Sequence, residues 1–236
     1  MGRFLRVGQT ITSPASNTAR KVVPVPIYVD EHGYVQNAGF VFKPIVALEH
    51  GRLQGPRAIV MHRTVSSTAR SSLNAFGRGI GTHFLIGKDG VTYQTASLLE
   101  KTYHVGPIRS RCFEEGTCDA QEQAAIESLE RREAYRAVHD RDKVKPYPER
   151  FPMNEDSVGI EVVAMYSAAT RQWDPPTPEQ AESIAQLVQI LQKKQYSLTD
   201  ADVYEHDRIS RKTAGEGAGL YDGADGLPVR FPPPFF

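Results

Sequence analysis

Three side chains carry the chemistry this sequence could perform. His62 follows the apolar run 58–61 (AIVM), His206 stands in VYEHDRIS after a β-prone piece, and Glu161 is the one carboxylate inside the apolar run 157–164 (SVGIEVVA). Two imidazoles far apart in sequence can share a zinc ion when loops at one sheet edge bring them together. Taken alone, a strand-end histidine is more often a structural or surface residue than a ligand. Glu161 also has two readings. Burying an unpaired carboxylate is costly, so it either points outward from a half-exposed strand or sits beside a metal to move protons. Cys112 and Cys118 lie in a polar stretch at a spacing that does not suit a metal. They are either two unrelated thiols or a loop-closing disulfide, the latter in an oxidising compartment.

The elements that must position these groups can be read from periodicity. Residues 58–61 form a buried strand ending at His62, and a helix can follow over 64–76. Residues 83–87 and 91–94 flank Lys88-Asp89-Gly90, a hairpin signal. Residues 119–138 read as one charged amphipathic helix, with Ala125, Leu129, Arg132 and Arg136 at helical spacing. Residues 143–152 (KVKPYPERFP) read as a loop, and 157–164 as a buried strand carrying Glu161. The clearest helix spans 177–194. Thr177 can cap it, Pro178 suits its first position, Gln180 completes a capping box, and Ala181, Ile184, Leu187, Val188 and Leu191 make its core face. From Gly215 onward Gly and Pro dominate, which predicts irregular structure. Strands alternating with helices give an α/β class with a central mixed β-sheet flanked by helices. Residues 1–45, polar and rich in Pro and Gly, read as an N-terminal arm packed on a domain that runs over 46–236.

The words AIVMHRTVSST, GTHFLIGKDGVTYQ, YHVG, NEDSVGIEVV, the TPEQ helix and EHDRISRKT occur in this order. In order and distance they closely resemble the type 2 N-acetylmuramoyl-L-alanine amidases, a family that includes phage amidases, bacterial amidases and peptidoglycan recognition proteins. The resemblance covers roughly residues 57–217, interrupted by a helical insertion near 107–152. It implies a zinc amidohydrolase with His62 and His206 as metal ligands, Glu161 in proton transfer, and Lys212 stabilising the oxyanion. It also implies that Thr82 and His104 contact the substrate, while His83 orders the hairpin. The substrate implied is peptidoglycan or muropeptides, and the bond is the amide between N-acetylmuramic acid and L-alanine.

One position departs from the family pattern. After the lysine, the family places Asp or Cys as third ligand, followed by Pro-Gly; here the same place holds Ala214, followed by Gly215. An alanine methyl cannot bind zinc, and a catalytic zinc uses about three protein ligands. Glu216, flanked by Gly215 and Gly217, is the nearest replacement, and Asp222 is a second candidate. If neither serves, the chain binds peptidoglycan without cleaving it, as some relatives do. Retention of Glu161 and Lys212 favours the enzyme.

Composition narrows the partners. Lys+Arg and Asp+Glu both number 28, so the net charge of zero gives no basic surplus for nucleic acid. The N-terminal MGRFLRVGQTITSPASNTARK has no apolar stretch of signal-peptide or membrane-span type. The sequence therefore leads us to expect a protein made in the cytoplasm without a classical signal. Action in the periplasm or cell wall would then need secretion machinery or release by lysis, and an antibacterial effector would be matched by an immunity protein.

Overall fold

A computed structural model describes residues 25–221 and 223. The short strands β1 (Tyr28–Val29), β2 (Val35–Gln36) and β3 (Val41–Phe42) are followed by β4 (Ala58–Arg63), α1 (Ala69–Phe76), β5 (Phe84–Ile86) and β6 (Thr92–Gln94). Next come α2 (Arg111–Glu115), α3 (Ala120–Arg131), α4 (Tyr135–Asp142), β7 (Ser157–Val162), β8 (Tyr166–Ser167) and β9 (Gln172–Trp173). The chain continues through α5 (Pro178–Ile190), β10 (Val203–Glu205) and α6 (His206–Ile209). Six strands form the central sheet in the order β10-β4-β7-β5-β6-β3, and it is mixed: β10, β4, β7 and β5 run parallel, while β6 pairs antiparallel to β5. β1 and β2 form a separate hairpin.

Strand periodicity divides the sheet into two faces. Ile59, Met61, Val158, Ile160 and Val162 point to α5 and meet Ile184, Leu187 and Val188 in the largest apolar cluster. The opposite face carries Ala58 and Val60, packed with Val105, Ile108, Phe151, Tyr204 and Ile209. By the same alternation His62, Ser157, Gly159 and Glu161 lie on that second face. Of the N-terminal arm, Val35 is buried in the α5-side cluster and β3 extends the sheet beside β6.

The capping box on α5 forms as read: the Thr177 hydroxyl accepts from the Gln180 N–H at 3.1 Å and the Gln180 side chain accepts from the Thr177 N–H at 3.0 Å. Beyond Ile190 the backbone continues as a π-helical stretch to Tyr196. Two helices differ from expectation. α1 begins at Ala69, because Val65 takes a left-handed φ of 50° and Thr68 is the residue that caps, accepting from the Ser71 N–H. The insertion helix breaks at Glu133, whose φ is 55°. α4 then folds back on α3, with Glu122 near the start of α3 taking Arg141 and Lys145 at 2.7 and 3.2 Å. Ahead of them, Cys112 and Cys118 are joined as a disulfide. No helix among the described residues is long and apolar enough to cross a membrane.

Candidate metal centre

Three adjacent strands bring the chemical groups to one edge. His62 is the penultimate residue of β4, Glu161 is its register partner on β7, and His206 follows directly after β10. A return loop then brings in Glu216. Its Oε1 lies 2.8 Å from Nδ1 of His206 and 3.7 Å from Nδ1 of His62. His62, His206 and Glu216 each offer one ligand atom, and these atoms all lie within 4.8 Å of one another.

Hydrogen-bond inventory sets the imidazole tautomers. His206 Nε2 lies 2.8 Å from the Val105 carbonyl, which can only accept, so Nε2 holds a proton and Nδ1 is the nitrogen turned to the centre. His62 is set through a longer chain. The Ser157 hydroxyl donates its single proton to the Met153 carbonyl at 2.7 Å, so it must accept from His104 Nε2 at 3.3 Å. His104 Nδ1 is then an acceptor, and it takes the Nε2 proton of His62 at 3.1 Å. His62 Nδ1 is thereby left with its lone pair facing Glu216.

Charge states agree with this. Burial, then the neighbouring His206, pushes His62 down to about 3. Burial pushes His83 down to about 4 and, joined by the surrounding imidazoles, holds His104 well below the usual range. Burial would raise Glu216, but the two imidazoles outweigh it and hold the carboxyl at about 2. His62 and Glu216 thus have the forms a metal requires, a neutral imidazole and an ionised carboxylate. A lone pair and a carboxylate oxygen 2.8 Å apart need a cation between them, either a proton or a metal ion. In a tetrahedral zinc site with bonds near 2.0–2.1 Å, donors lie about 3.3 Å apart. The two measured separations, 2.8 and 3.7 Å, straddle that value. The N,N,O set is of a kind that would suit zinc.

Glu161 stands beside this triad and is only partly exposed. Burial, then the charge of Glu216, pushes its carboxyl up to about 8, with Lys212 acting in the opposite direction. Lys212 is solvent-exposed, and its charge also disfavours protonation of His62, so its field covers the same centre.

The remaining expectations fare differently. Thr82 is 1% exposed and its hydroxyl donates to the Phe84 carbonyl, while His104 is 8% exposed and lies behind His62. Both are wedged against Gly159, where an added Cβ would stand 2.8 Å from each side chain. Both side chains therefore pack on β7 at Gly159, with His104 bonded to His62. His83 accepts from the Gly159 N–H at 3.1 Å and donates to the Glu100 carbonyl at 2.9 Å, tying β7 to the segment after the hairpin. Ala214 offers only its carbonyl, which accepts from the Trp173 indole at 3.1 Å. Asp222 lies outside the described residues. Two residues that sequence reasoning passed over, Arg63 and Asp207, hold the Glu216 loop. Each adjoins one of the two histidines, but nothing in the sequence signals their contacts.

These shifts give the metal-free protein a stability optimum. Between about 4 and 6.5, His62, His83 and His104 bind fewer protons folded than unfolded, so stability rises with pH. Glu161 acts oppositely, its folded value near 8 standing above the model-compound 4.5, so stability falls as pH rises between these values. Three imidazoles outweigh one carboxyl below 6.5, and above it the carboxyl acts alone. Urea midpoints in chelator should therefore peak near pH 6.5, and Glu161→Gln should flatten the decline towards pH 8. A parent midpoint still climbing between pH 6.5 and 8 would refute this.

A family model described as N-acetylmuramoyl-L-alanine amidase matches residues 52–217. No curated protein matches the chain. Among solved structures, a selenomethionine AmpD derivative is similar with a TM-score of 0.50 at 15% identity, over 82% of this chain and 94% of that one. That likeness concerns the fold, a central mixed sheet flanked by helices. The N-acetylmuramoyl-L-alanine amidase LysC from Clostridium intestinale URNW is 17% identical, with a TM-score of 0.40, over 72% of this chain and 85% of its own.

Proposed function

The chain belongs to the N-acetylmuramoyl-L-alanine amidase family, and from that premise we propose that it hydrolyses the amide between N-acetylmuramic acid and L-alanine in peptidoglycan, with zinc held by His62, His206 and Glu216. The observation that carries this reading is the convergence of three lone-pair donors within 4.8 Å, beside a carboxyl raised to about 8.

Zinc, when bound, supplies a water acidified to a pKa of about 7 and polarises the scissile carbonyl. Glu161 takes the proton from the attacking water and passes it to the leaving amine. Its raised affinity for protons suits both directions, since a catalytic acid–base group works best near the operating pH. The Lys212 ammonium, exposed and with its charge felt at His62 and Glu161, offsets the oxyanion that develops on the carbonyl. His104 and Ser157 keep the His62 lone pair on the centre, and Val105 does the same for His206. The recognition-module reading rested on the missing donor at Ala214, and the position of Glu216 beside both histidines weighs against it.

Peptidoglycan lies outside the cytoplasm, so we place the site of action in the periplasm or cell wall, reached by export or release. The Cys112–Cys118 disulfide suits such an oxidising destination. An antibacterial role would pair the protein with an immunity partner in the producing cell.

Purified protein should be incubated with zinc and purified sacculi, and the soluble products read by mass spectrometry. We expect stem peptides with a free N-terminal alanine, lost on chelation and in His62→Ala. Retention of the protein on sacculi with no new amine would replace the enzyme with a binding module.

A further inference from the structure

The carboxylate nearest the two histidines comes from an unpromising place. Gly215-Glu216-Gly217 is a segment whose glycines give the unfolded chain unusual freedom, so ordering it is entropically expensive. A ligand on an unrestrained loop of this kind would hold a metal weakly, because binding would have to order the loop.

The loop is in fact pinned on both sides of Glu216 by residues adjoining the two histidines. By strand alternation Arg63, next to His62, points away from the face that carries His62, and it reaches the edge of the sheet. Its Nη1 donates to the carbonyls of Gly215 at 2.7 Å, Ala218 at 2.8 Å and Glu216 at 3.3 Å. Asp207, next to His206, accepts from the Gly215 N–H at 2.6 Å and the Gly217 N–H at 2.9 Å. Glu205 accepts from the Gly219 N–H at 3.1 Å. Arg63 is 6% exposed, and its Nε is the buried side-chain nitrogen left without a partner among the described residues. A guanidinium buried in this way, with one donor unmet, costs stability. What it gains is the position of three main-chain carbonyls.

The backbone is equally specific. Gly215 has a φ of +78°, in the left-handed region, and a Cβ at Gly217 would fall within 2.7 Å of backbone atoms of Met61, Glu205 and His206. The loop therefore lies directly against the ends of β4 and β10, the strands that deliver the two histidines.

We propose that Arg63 and Asp207 are positioning residues that fix the Gly215–Gly219 loop, so that Glu216 serves as the donor that Ala214 cannot supply. This rests on the zinc reading above. Each of the two strands ending at the centre thus supplies a ligand and, from the next residue, a hold on the third ligand's loop. Arg63 and Asp207 act only through Glu216 and touch no substrate.

The test is zinc affinity, measured by competition with a chromophoric chelator, for the parent, Arg63→Gln, Asp207→Asn, Glu216→Ala and the double variant Arg63→Gln/Glu216→Ala. Residues that orient ligands typically contribute 10–100-fold in metal affinity. Arg63→Gln and Asp207→Asn should each weaken zinc by about that factor, and the double variant should bind no more weakly than Glu216→Ala alone. Asp207→Asn, the milder change, decides the matter if Arg63→Gln does not fold. Parent-like affinity in the single clamp variants, with Glu216→Ala weakened, overturns the clamp and leaves the zinc reading standing. Losses that add in the double variant would mean that Arg63 acts on the fold at large, and overturn the clamp also. A parent that binds no zinc overturns both.

Discussion

Replacing Glu161 with glutamine is expected to leave zinc affinity within a few-fold of the parent while lowering turnover by about 10²–10⁴-fold, the usual contribution of a general acid–base group. The geometry separates the two effects. Glu161 is the register partner of His62 on β7, outside the His62–His206–Glu216 triad. The substitution preserves side-chain shape on a strand held from both sides, by β4 and β5, so the fold should not respond. What changes is proton affinity. Burial and the Glu216 charge hold the Glu161 carboxyl near 8, where it can both accept and return a proton, whereas an amide does neither. The loss should fall on kcat with KM little altered, since the interaction is made in the transition state. A kcat within a factor of a few of the parent would show that Glu161 is structural.

The sequence made different parts of the protein legible for different reasons. The runs at 58–61 and 157–164 were readable as buried strands because parallel strands covered on both faces are continuously apolar. The capping box of α5 was readable because it is local, formed within four residues. The break at Glu133 was not, because the amphipathic pattern runs on through it. That break depends on a left-handed backbone and on Glu122 drawing α4 back across α3. The packing of Thr82 and His104 together on Gly159 was not legible either, because no local pattern reports such a contact. Arg63 and Asp207 were invisible for a related reason. Arg63 bonds main-chain carbonyls about 150 positions away, and carbonyls carry no sequence signature. Glu216 lay between these cases. Charge and flanking glycines named it as a candidate, but only the folded loop brings its oxygen to His206 and His62.

The second large effect is expected at that residue. Glu216→Ala should lower zinc affinity more than about 100-fold, beyond the range for residues that merely orient a ligand, because it leaves two imidazoles where three donors are needed for a catalytic site. Glu216→Gln should weaken binding less: the amide oxygen remains a donor, but the negative charge that offsets the metal is lost. The informative variant is Ala214→Asp combined with Glu216→Ala. Lys212 stands six residues after His206 and Ala214 two further on, at the position where the family carries its acidic or thiol ligand. The Ala214 carbonyl is fixed by the Trp173 indole at 3.1 Å, so this part of the loop is already ordered. An aspartate placed there is one methylene shorter than glutamate and starts from the family's own register. It should recover part of the lost affinity without any help from Glu216. Recovery would identify the site as one whose third donor has moved two positions along the chain, with the two histidines unchanged. Zinc bound by Glu216→Ala as tightly as by the parent would refute the assignment and direct attention to Asp222.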